Sequence, residues 1–181
     1  MDTIQENRTL TIVALGLSGV ALLLAGAIAG FFYAYASSVM RGLDAVPPAH
    51  AIVAMQGINA MVRNAVFAPA FFGTPIAATL AGAALLGAGR RAAGLAMLAA
   101  AASYLLGAFL PTFAINVPMN EALAIAAVPD DAAEAARYWR AYSVDWTWWN
   151  TLRTAFSLLC LALVGFALFL AGRSTNRVHQ R

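Results

Sequence analysis

Four long stretches of this sequence contain no charged residue, and they constrain the fold more than any other feature. A helix of about 20 apolar residues crosses the roughly 30 Å hydrocarbon core of a bilayer. The stretches contain 32, 26, 29 and 19 residues, and they are Thr9–Met40, Asn64–Gly89, Ala92–Asn120 and Thr154–Gly172. Each can cross a membrane once, so we expect one domain, residues 1–181, with spans at roughly 9–36, 65–88, 92–114 and 150–172.

The composition agrees with membrane spans. Only 10% of the residues are charged, whereas about 25% are charged in a typical soluble domain. A soluble globular domain is therefore not expected. The prediction is an all-α fold, an integral membrane four-helix bundle with short amphipathic helices on the external side. Its partner is the lipid bilayer, and a homo-oligomer is left open.

The eleven basic residues are all arginines, and they lie at span ends rather than in one stripe. This distribution indicates membrane topology and not a nucleic-acid-binding surface. Six of the eleven fall on one side of a four-span bundle: Arg8, Arg90, Arg91, Arg173, Arg177 and Arg181. By the positive-inside rule that side is cytoplasmic. We therefore expect both termini in the cytoplasm of a bacterial inner-membrane protein, with external segments 41–64 and 115–149.

Prolines and glycines within the spans give two further expectations. Pro69, Pro75 and Pro111 lie in the outer half of their spans, where an intramembrane proline often accompanies a kink beside a cavity. Gly26 and Gly30 are separated by four residues, a spacing that lets a second helix approach closely. We expect this pair to pack inside the bundle.

Polar residues follow single helix faces near the external side. Gln56, Asn59 and Arg63 lie on one face of the helix predicted before span two, and Asn116 and Asn120 end span three. A second stripe has spacings of three or four residues and comprises Trp139, Tyr142, Trp146, Asn150, Arg153, Ser157 and Cys160. An intramembrane arginine indicates a functional site unless it reaches the lipid interface. Asn116 has the alternative role of a helix cap.

These stripes predict a hydrogen-bonding, cationic pocket in the outer third of the bundle. Trp146 and Tyr142 would line it, which suits a flat, oxygen-bearing, lipid-soluble molecule. His50 and His179 fall on opposite sides of the membrane in this topology, so they cannot ligate one metal or haem together. No cofactor is predicted, although a bound metal is left open.

Several short blocks resemble the signature of a known family. They are Met40-Arg41-Gly42-Leu43, Met55-Gln56-Gly57-Ile58-Asn59, Asn116-Val117-Pro118-Met119-Asn120 and Trp146-Thr147-Trp148-Trp149-Asn150-Thr151-Leu152-Arg153. They are similar to blocks of the anthrone oxygenase-like membrane family, domain of unknown function family 1772. The resemblance implies a four-helix membrane protein, and some members oxidise anthrones to anthraquinones with dioxygen. It marks signature positions, namely Asn59, Asn116, Asn120, Trp146, Asn150 and Arg153, without giving them catalytic roles.

Two functional hypotheses follow. The first is a membrane-embedded oxygenase that binds a flat phenolic or polycyclic substrate and uses dioxygen as co-substrate. Its catalytic residues would be Arg153, Asn150, Asn116 and Asn120, and its substrate-binding residues Trp146, Tyr142, Gln56, Asn59 and Arg63. Glu121 is the nearest candidate for a general base. The alternative is a non-catalytic membrane subunit that binds a quinone, lipid or pigment, or that packs in a larger membrane complex.

Overall fold

The computed structural model describes residues 2–176, and this part of the chain forms helices joined by short connections, without a strand. The α-helices are α1 (Asp2–Ala34), α2 (Met40–Asp44), α3 (Pro48–Met61), α4 (Phe67–Gly87), α5 (Arg91–Tyr104), α6 (Val117–Ile125) and α7 (Ala132–Asn176). Three π-helical segments join some of them: Tyr35–Val39, Leu105–Phe109 and Thr112–Asn116. Because a π-helical turn does not interrupt the rod, α1 runs on into α2, and α5 runs on into α6.

Four helices of the described chain are long and apolar enough to span a membrane. They cover Arg8–Asp44, Phe67–Gly87, Arg91–Ile125 and Ala132–Arg173. The predicted all-α membrane bundle is confirmed, and the chain is an integral membrane protein by this criterion. The helix α7 begins 18 residues before the predicted start of the fourth span at residue 150. The polar stripe of α7 therefore continues from an end of the bundle into the bundle itself.

The four long helices pack in a ring, in which α1 contacts α4 and α7, and α5 contacts α4 and α7. Alanines such as Ala21, Ala81, Ala100 and Ala167 are fully buried along these contacts, and small side chains let membrane helices approach closely. The turn between α4 and α5 contains Gly89 at φ +74°, a conformation that glycine adopts without strain. Both ends of the described chain lie at the same end of the bundle as this turn.

A close helix contact lies between α4 and α5, and not at the predicted glycine pair. A Cβ atom added to Gly94 would lie 2.9 Å from the carbonyl oxygen of Gly82. By contrast, a Cβ at Gly26 would be 4.0 Å from Leu161, and one at Gly30 would meet no atom within 4 Å. The expectation that Gly26 and Gly30 set a close helix contact is therefore wrong, because the face they share is open enough to accept side chains.

Two prolines within the spans, Pro75 and Pro111, lie where the backbone departs from a regular α-helical hydrogen-bonding pattern. Pro75 has no N–H to donate to the carbonyl of Phe71 one turn earlier. The Tyr104 hydroxyl donates to that Phe71 carbonyl at 3.0 Å instead. Pro111 lies between the π-helical segments Leu105–Phe109 and Thr112–Asn116. Such segments often occur at functional sites, and these flank the cavity described below.

A second, smaller core covers the end of the bundle that is opposite the α4–α5 turn. Its members come from α2, α3, α6 and residues 132–149 of α7. We call these four segments together the end layer. The members of this core include Met40, Ile52, Met55, Leu123 and Trp139. Two side-chain contacts tie the layer together: Gln56 Nε2 donates to the carbonyls of Leu123 and Ala126 at 2.9 and 3.0 Å, and Trp139 Nε1 donates to Asp44 Oδ1 at 2.8 Å.

Candidate ligand-binding site

A cavity of about 660 Å³ lies where the end layer meets the four-helix bundle. Its walls come from the end of α1, the connection between α3 and α4, the start of α4, the π-helical segment Thr112–Asn116, α6 and α7. The volume is within the range of small-molecule pockets. The cavity therefore has room for a ligand of several fused rings.

Arg153 lines this cavity and is only 4% exposed. Its Nη1 donates to Thr112 Oγ1 and its Nη2 to Asn150 Oδ1, both at 3.2 Å. The Thr112 hydroxyl in turn donates to the carbonyl of Ala108 at 2.8 Å, so its oxygen is available to accept from Arg153. The third guanidinium nitrogen, Nε, is buried without a hydrogen-bond partner.

Two aromatic rings flank the guanidinium. Its Cζ atom is 4.7 Å from the centre of the Phe32 ring and 5.1 Å from that of the Trp146 ring, which are cation–π distances. Among the side chains that the structure describes, Arg153 has no carboxylate within ion-pair distance. A buried arginine is costly unless it is paired or faces a polar cavity, so this site favours a ligand that brings an anionic or electron-rich oxygen.

Asn120 holds two aromatic side chains beside the cavity. Its Oδ1 accepts from Trp146 Nε1 at 2.8 Å and from the Tyr142 hydroxyl at 2.9 Å. Asn59 Nδ2 donates to the same Tyr142 oxygen at 3.3 Å. This network links α3, α6 and α7, and it fixes the orientation of the Trp146 ring against Arg153.

Asn116 is 1% exposed and lines the cavity, yet neither atom of its side-chain amide has a hydrogen-bond partner. It precedes α6 but its side chain makes no capping hydrogen bond. The alternative that Asn116 is a helix cap is therefore wrong. An amide that is buried with a free donor and a free acceptor is rare in native proteins.

Much of the remaining cavity wall is built from phenylalanine rings. Phe71 stacks on Phe67 with ring centres 5.3 Å apart and planes at 22°, and on Phe109 at 5.1 Å and 19°. Phe72 and Phe113 also line the space. The cavity thus combines many aromatic rings with one buried positive charge, that of Arg153.

The mouth of the cavity carries an exposed ion pair. Arg63 Nη2 lies 3.2 Å from Glu121 Oε1, with side chains 62% and 61% exposed. Glu121 is therefore a carboxylate that both lines the cavity and contacts solvent. Among the described residues, no three His, Cys, Asp or Glu side chains are grouped closely enough to hold a metal ion.

A comparison with protein-family models indicates which family this chain belongs to. The anthrone oxygenase model matches residues 63–163, which is more than half of the 181 residues. The chain belongs to the anthrone oxygenase family. No curated protein matches it, and no solved structure does. The resemblance seen in the sequence blocks is thereby confirmed, and the matched region includes Asn116, Asn120, Trp146 and Arg153.

This anthrone oxygenase family member brings most of the predicted site residues to one cavity. Six of the nine line it: Arg153, Asn116, Asn120, Trp146, Asn59 and Arg63. Three do not. Asn150 donates to the carbonyl of Phe32 at 3.0 Å while it accepts from Arg153, Tyr142 supports Asn120, and Gln56 holds the end layer to α6. These three residues are placed to support the cavity walls. The functional roles of all nine residues remain predictions.

Other residues of this family member reach the cavity without having been predicted. They are Thr112, Phe32, Tyr35 and the phenylalanines at 67, 71, 72 and 113. A signal existed for some of them, since Phe67 and Phe71 are four residues apart, as are Phe109 and Phe113, and such pairs share a helix face. The sequence contains no signal for Thr112, because it is a single uncharged residue in an apolar span.

Proposed function

We propose that the cavity binds a flat phenolic or polycyclic molecule and that the protein catalyses its oxidation by dioxygen, as in the conversion of an anthrone to an anthraquinone. The observation that carries this proposal is Arg153, a buried cation without a carboxylate partner between two aromatic rings. A preorganised positive charge in a site shielded from water stabilises an oxygen that becomes negative during a reaction.

The lining of the cavity suits such a substrate. The rings of Phe67, Phe72 and Phe113, which line the cavity, offer contacts for fused aromatic rings, which prefer offset stacking or edge contacts. The ring oxygen would then lie toward Arg153, which also lines the cavity. This arrangement orients the substrate and holds its reacting carbon in one place, which itself accelerates a reaction.

The proposed reaction starts with removal of a proton from the methylene group of the anthrone. The resulting enolate carries its charge on the oxygen that Arg153 binds, and its carbon forms a bond to dioxygen. The peroxide takes up a proton and then loses water, which leaves the second carbonyl of the quinone. One atom of dioxygen ends in the quinone and the other in water, so the reaction as proposed requires no further oxidant or cofactor.

Glu121 is the general base in this proposal. Its carboxylate reaches the cavity mouth, where Arg63 is its ion-pair partner, and it can pass the proton to solvent because it is exposed. Exchange of Glu121 for glutamine should slow quinone formation while it leaves the binding of the quinone product intact. A variant with unchanged turnover would remove Glu121 from the mechanism.

The direct test is turnover in phospholipid nanodiscs. Purified protein, empty nanodiscs and the Arg153→Met variant are each incubated with anthrone under ¹⁸O₂. The proposal expects faster quinone formation with wild-type protein only, with one ¹⁸O atom per quinone and one in water. Equal rates in all three samples would contradict catalysis. Tight quinone binding with no acceleration would favour the alternative, a non-catalytic subunit that binds a quinone or pigment.

The proposal also places the cavity on the external side of the membrane and both termini in the cytoplasm. The support is the arginine distribution, because Arg90 in the α4–α5 turn and Arg91 at the start of α5 lie at the end opposite the cavity. Arg90 Nη1 donates to the carbonyl of Ala171 at that end, near the basic end of α7. Positive residues accumulate on the cytoplasmic side of bacterial membranes.

A further inference from the structure

A second cavity, of about 490 Å³, lies at the end of the bundle that contains the α4–α5 turn. Its walls come from this turn, the start of α5 and the end of α7. Among the described residues that line it, three are arginines, Arg90, Arg91 and Arg173, and none is acidic. We call it the basic cavity.

The basic cavity lies where three of the four spans end. The second span ends at Gly87, the third begins at Arg91 and the fourth ends at Arg173. The end of a span marks the boundary between the hydrocarbon core of a bilayer and its headgroup region. The arginines of the basic cavity therefore lie at the depth of the lipid phosphate groups.

Two of these arginines are held at the boundary by contacts with α7. Arg90 Nη1 donates to the carbonyl of Ala171, which ties the α4–α5 turn to the last turns of α7. The Arg173 guanidinium carbon lies 5.5 Å from the centre of the Phe169 ring, one helical turn earlier. The Arg173 side chain thus folds back toward the membrane instead of extending away from the bundle.

Arg91 and Arg173 bring two positive charges to the basic cavity from two different helices. Both side chains are exposed, and among the described side chains no carboxylate lies within ion-pair distance of either. The guanidinium group presents parallel N–H donors that match the oxygens of a phosphate. A phosphate in this cavity would meet arginines from α5 and from α7 together.

We propose that the basic cavity binds the phosphate of an anionic phospholipid through Arg91 and Arg173. Basic pockets between transmembrane helices bind anionic lipid headgroups in other membrane proteins. Two apolar side chains favour a lipid over a free phosphate, since Leu170 lines the cavity and Phe169, beside Arg173, is 57% exposed. Acyl chains can cover both. A zwitterionic lipid is disfavoured, because its amine would bring a third positive charge to the two arginines.

Thermal unfolding of the full chain in detergent tests this site, and the test does not depend on the proposed oxidation. The probes are dioleoyl phosphatidylglycerol, dioleoyl phosphatidylcholine, which has the same chains and a quaternary amine, and inorganic phosphate, which has no chains. Phosphatidylglycerol should raise the Tm of wild-type protein at least about 3 °C more than phosphatidylcholine does. Inorganic phosphate at the same concentration should raise it by less than about 1 °C.

Variants locate the effect in the basic cavity. In Arg91→Gln/Arg173→Gln, the Tm difference between the two lipids should fall below about 1 °C. Arg173→Gln alone serves if the double variant does not fold, and it should lose about half of the difference or more. The matched control is Arg137→Gln/Arg140→Gln, which removes two exposed arginines from the end layer and should keep the wild-type difference.

Three results would overturn the proposal. An undiminished difference in Arg91→Gln/Arg173→Gln would show that the anionic lipid binds elsewhere. Equal Tm values of wild-type protein in the two lipids would show that the charge of the headgroup does not matter. If inorganic phosphate raises Tm as much as phosphatidylglycerol does, the basic cavity binds a free anion and not a lipid.

Discussion

Trp146 Nε1 donates a 2.8 Å hydrogen bond to Asn120 Oδ1, and this bond connects α7 to α6 beside the cavity. The same oxygen accepts from Tyr142. A single asparagine thus sets the position of the indole ring that faces Arg153. The end layer and the bundle meet through this residue.

Exchange of Asn120 for leucine should therefore destabilise the protein. It leaves two buried donors, Trp146 Nε1 and the Tyr142 hydroxyl, without their acceptor, at about 1–3 kcal/mol for each group. The expected result is a lower Tm in detergent. In a Trp146→Phe background the same exchange should cost less, since one donor is already absent, with a coupling of about 0.5–3 kcal/mol. Strictly additive losses would show that the bond contributes nothing.

Asn116→Leu should have the opposite effect on the unliganded protein. The amide is buried without a partner, so its removal relieves a desolvation cost of about 1–3 kcal/mol. Thermal unfolding without ligand should give an equal or higher Tm than wild type. A clearly lower Tm would mean that the amide has a structural partner.

Gly107 is the glycine at which a side chain should be least tolerated. A Cβ atom there would lie 1.9 Å from Phe156 Cγ and 2.4 Å from Phe156 Cβ, so Gly107→Ala must move α7 away from the third span. Overpacking of this kind costs about 1–3 kcal/mol or more. Gly30→Ala is the control, since no atom lies within 4 Å of its added Cβ. Equal Tm values for both variants would contradict this packing.

Cysteine labelling tests the orientation in the membrane. Cys160 is buried and free, so a Cys160→Ala background leaves each new cysteine as the single thiol. An impermeant reagent added to intact cells should label Asp131→Cys, which precedes α7, but not Thr175→Cys near its end. Labelling of position 175 alone would place the cavity at the cytoplasmic end and reverse the proposed topology.

The features that could be predicted from the sequence are those that depend on a single segment of the chain. Absence of charge over Thr9–Met40 is enough to predict a span, and spacings of three and four are enough to place Trp146, Asn150 and Arg153 on one face of α7. These are local properties of a helix. The four-span topology placed Asn116 and Asn120 at the same depth, although a single helix face does not connect them to α7.

The features that were out of reach depend on contacts between segments. The Phe71 carbonyl becomes available because of Pro75, but its donor Tyr104 lies 33 residues away. The π-helical segment Thr112–Asn116 changes the register of the third span, so the direction of Asn116 could not be read from a regular helical period. Asn150 was predicted to touch the substrate, yet its amide is taken up by a backbone carbonyl of α1.

Ligand affinity in Arg153→Lys, measured at equal folded yield, tests whether Arg153 binds an oxygen of a flat aromatic ligand. Lysine keeps the charge but loses the planar guanidinium that Thr112 and Asn150 hold and that two rings flank. We expect Arg153→Lys to bind 2-hydroxyanthraquinone at least about tenfold more weakly than wild type, and Arg91→Lys, at the opposite end of the bundle, to bind it as wild type does. Wild-type affinity in Arg153→Lys would contradict this role of Arg153. Ligand binding would then depend on the positive charge alone and not on the planar guanidinium.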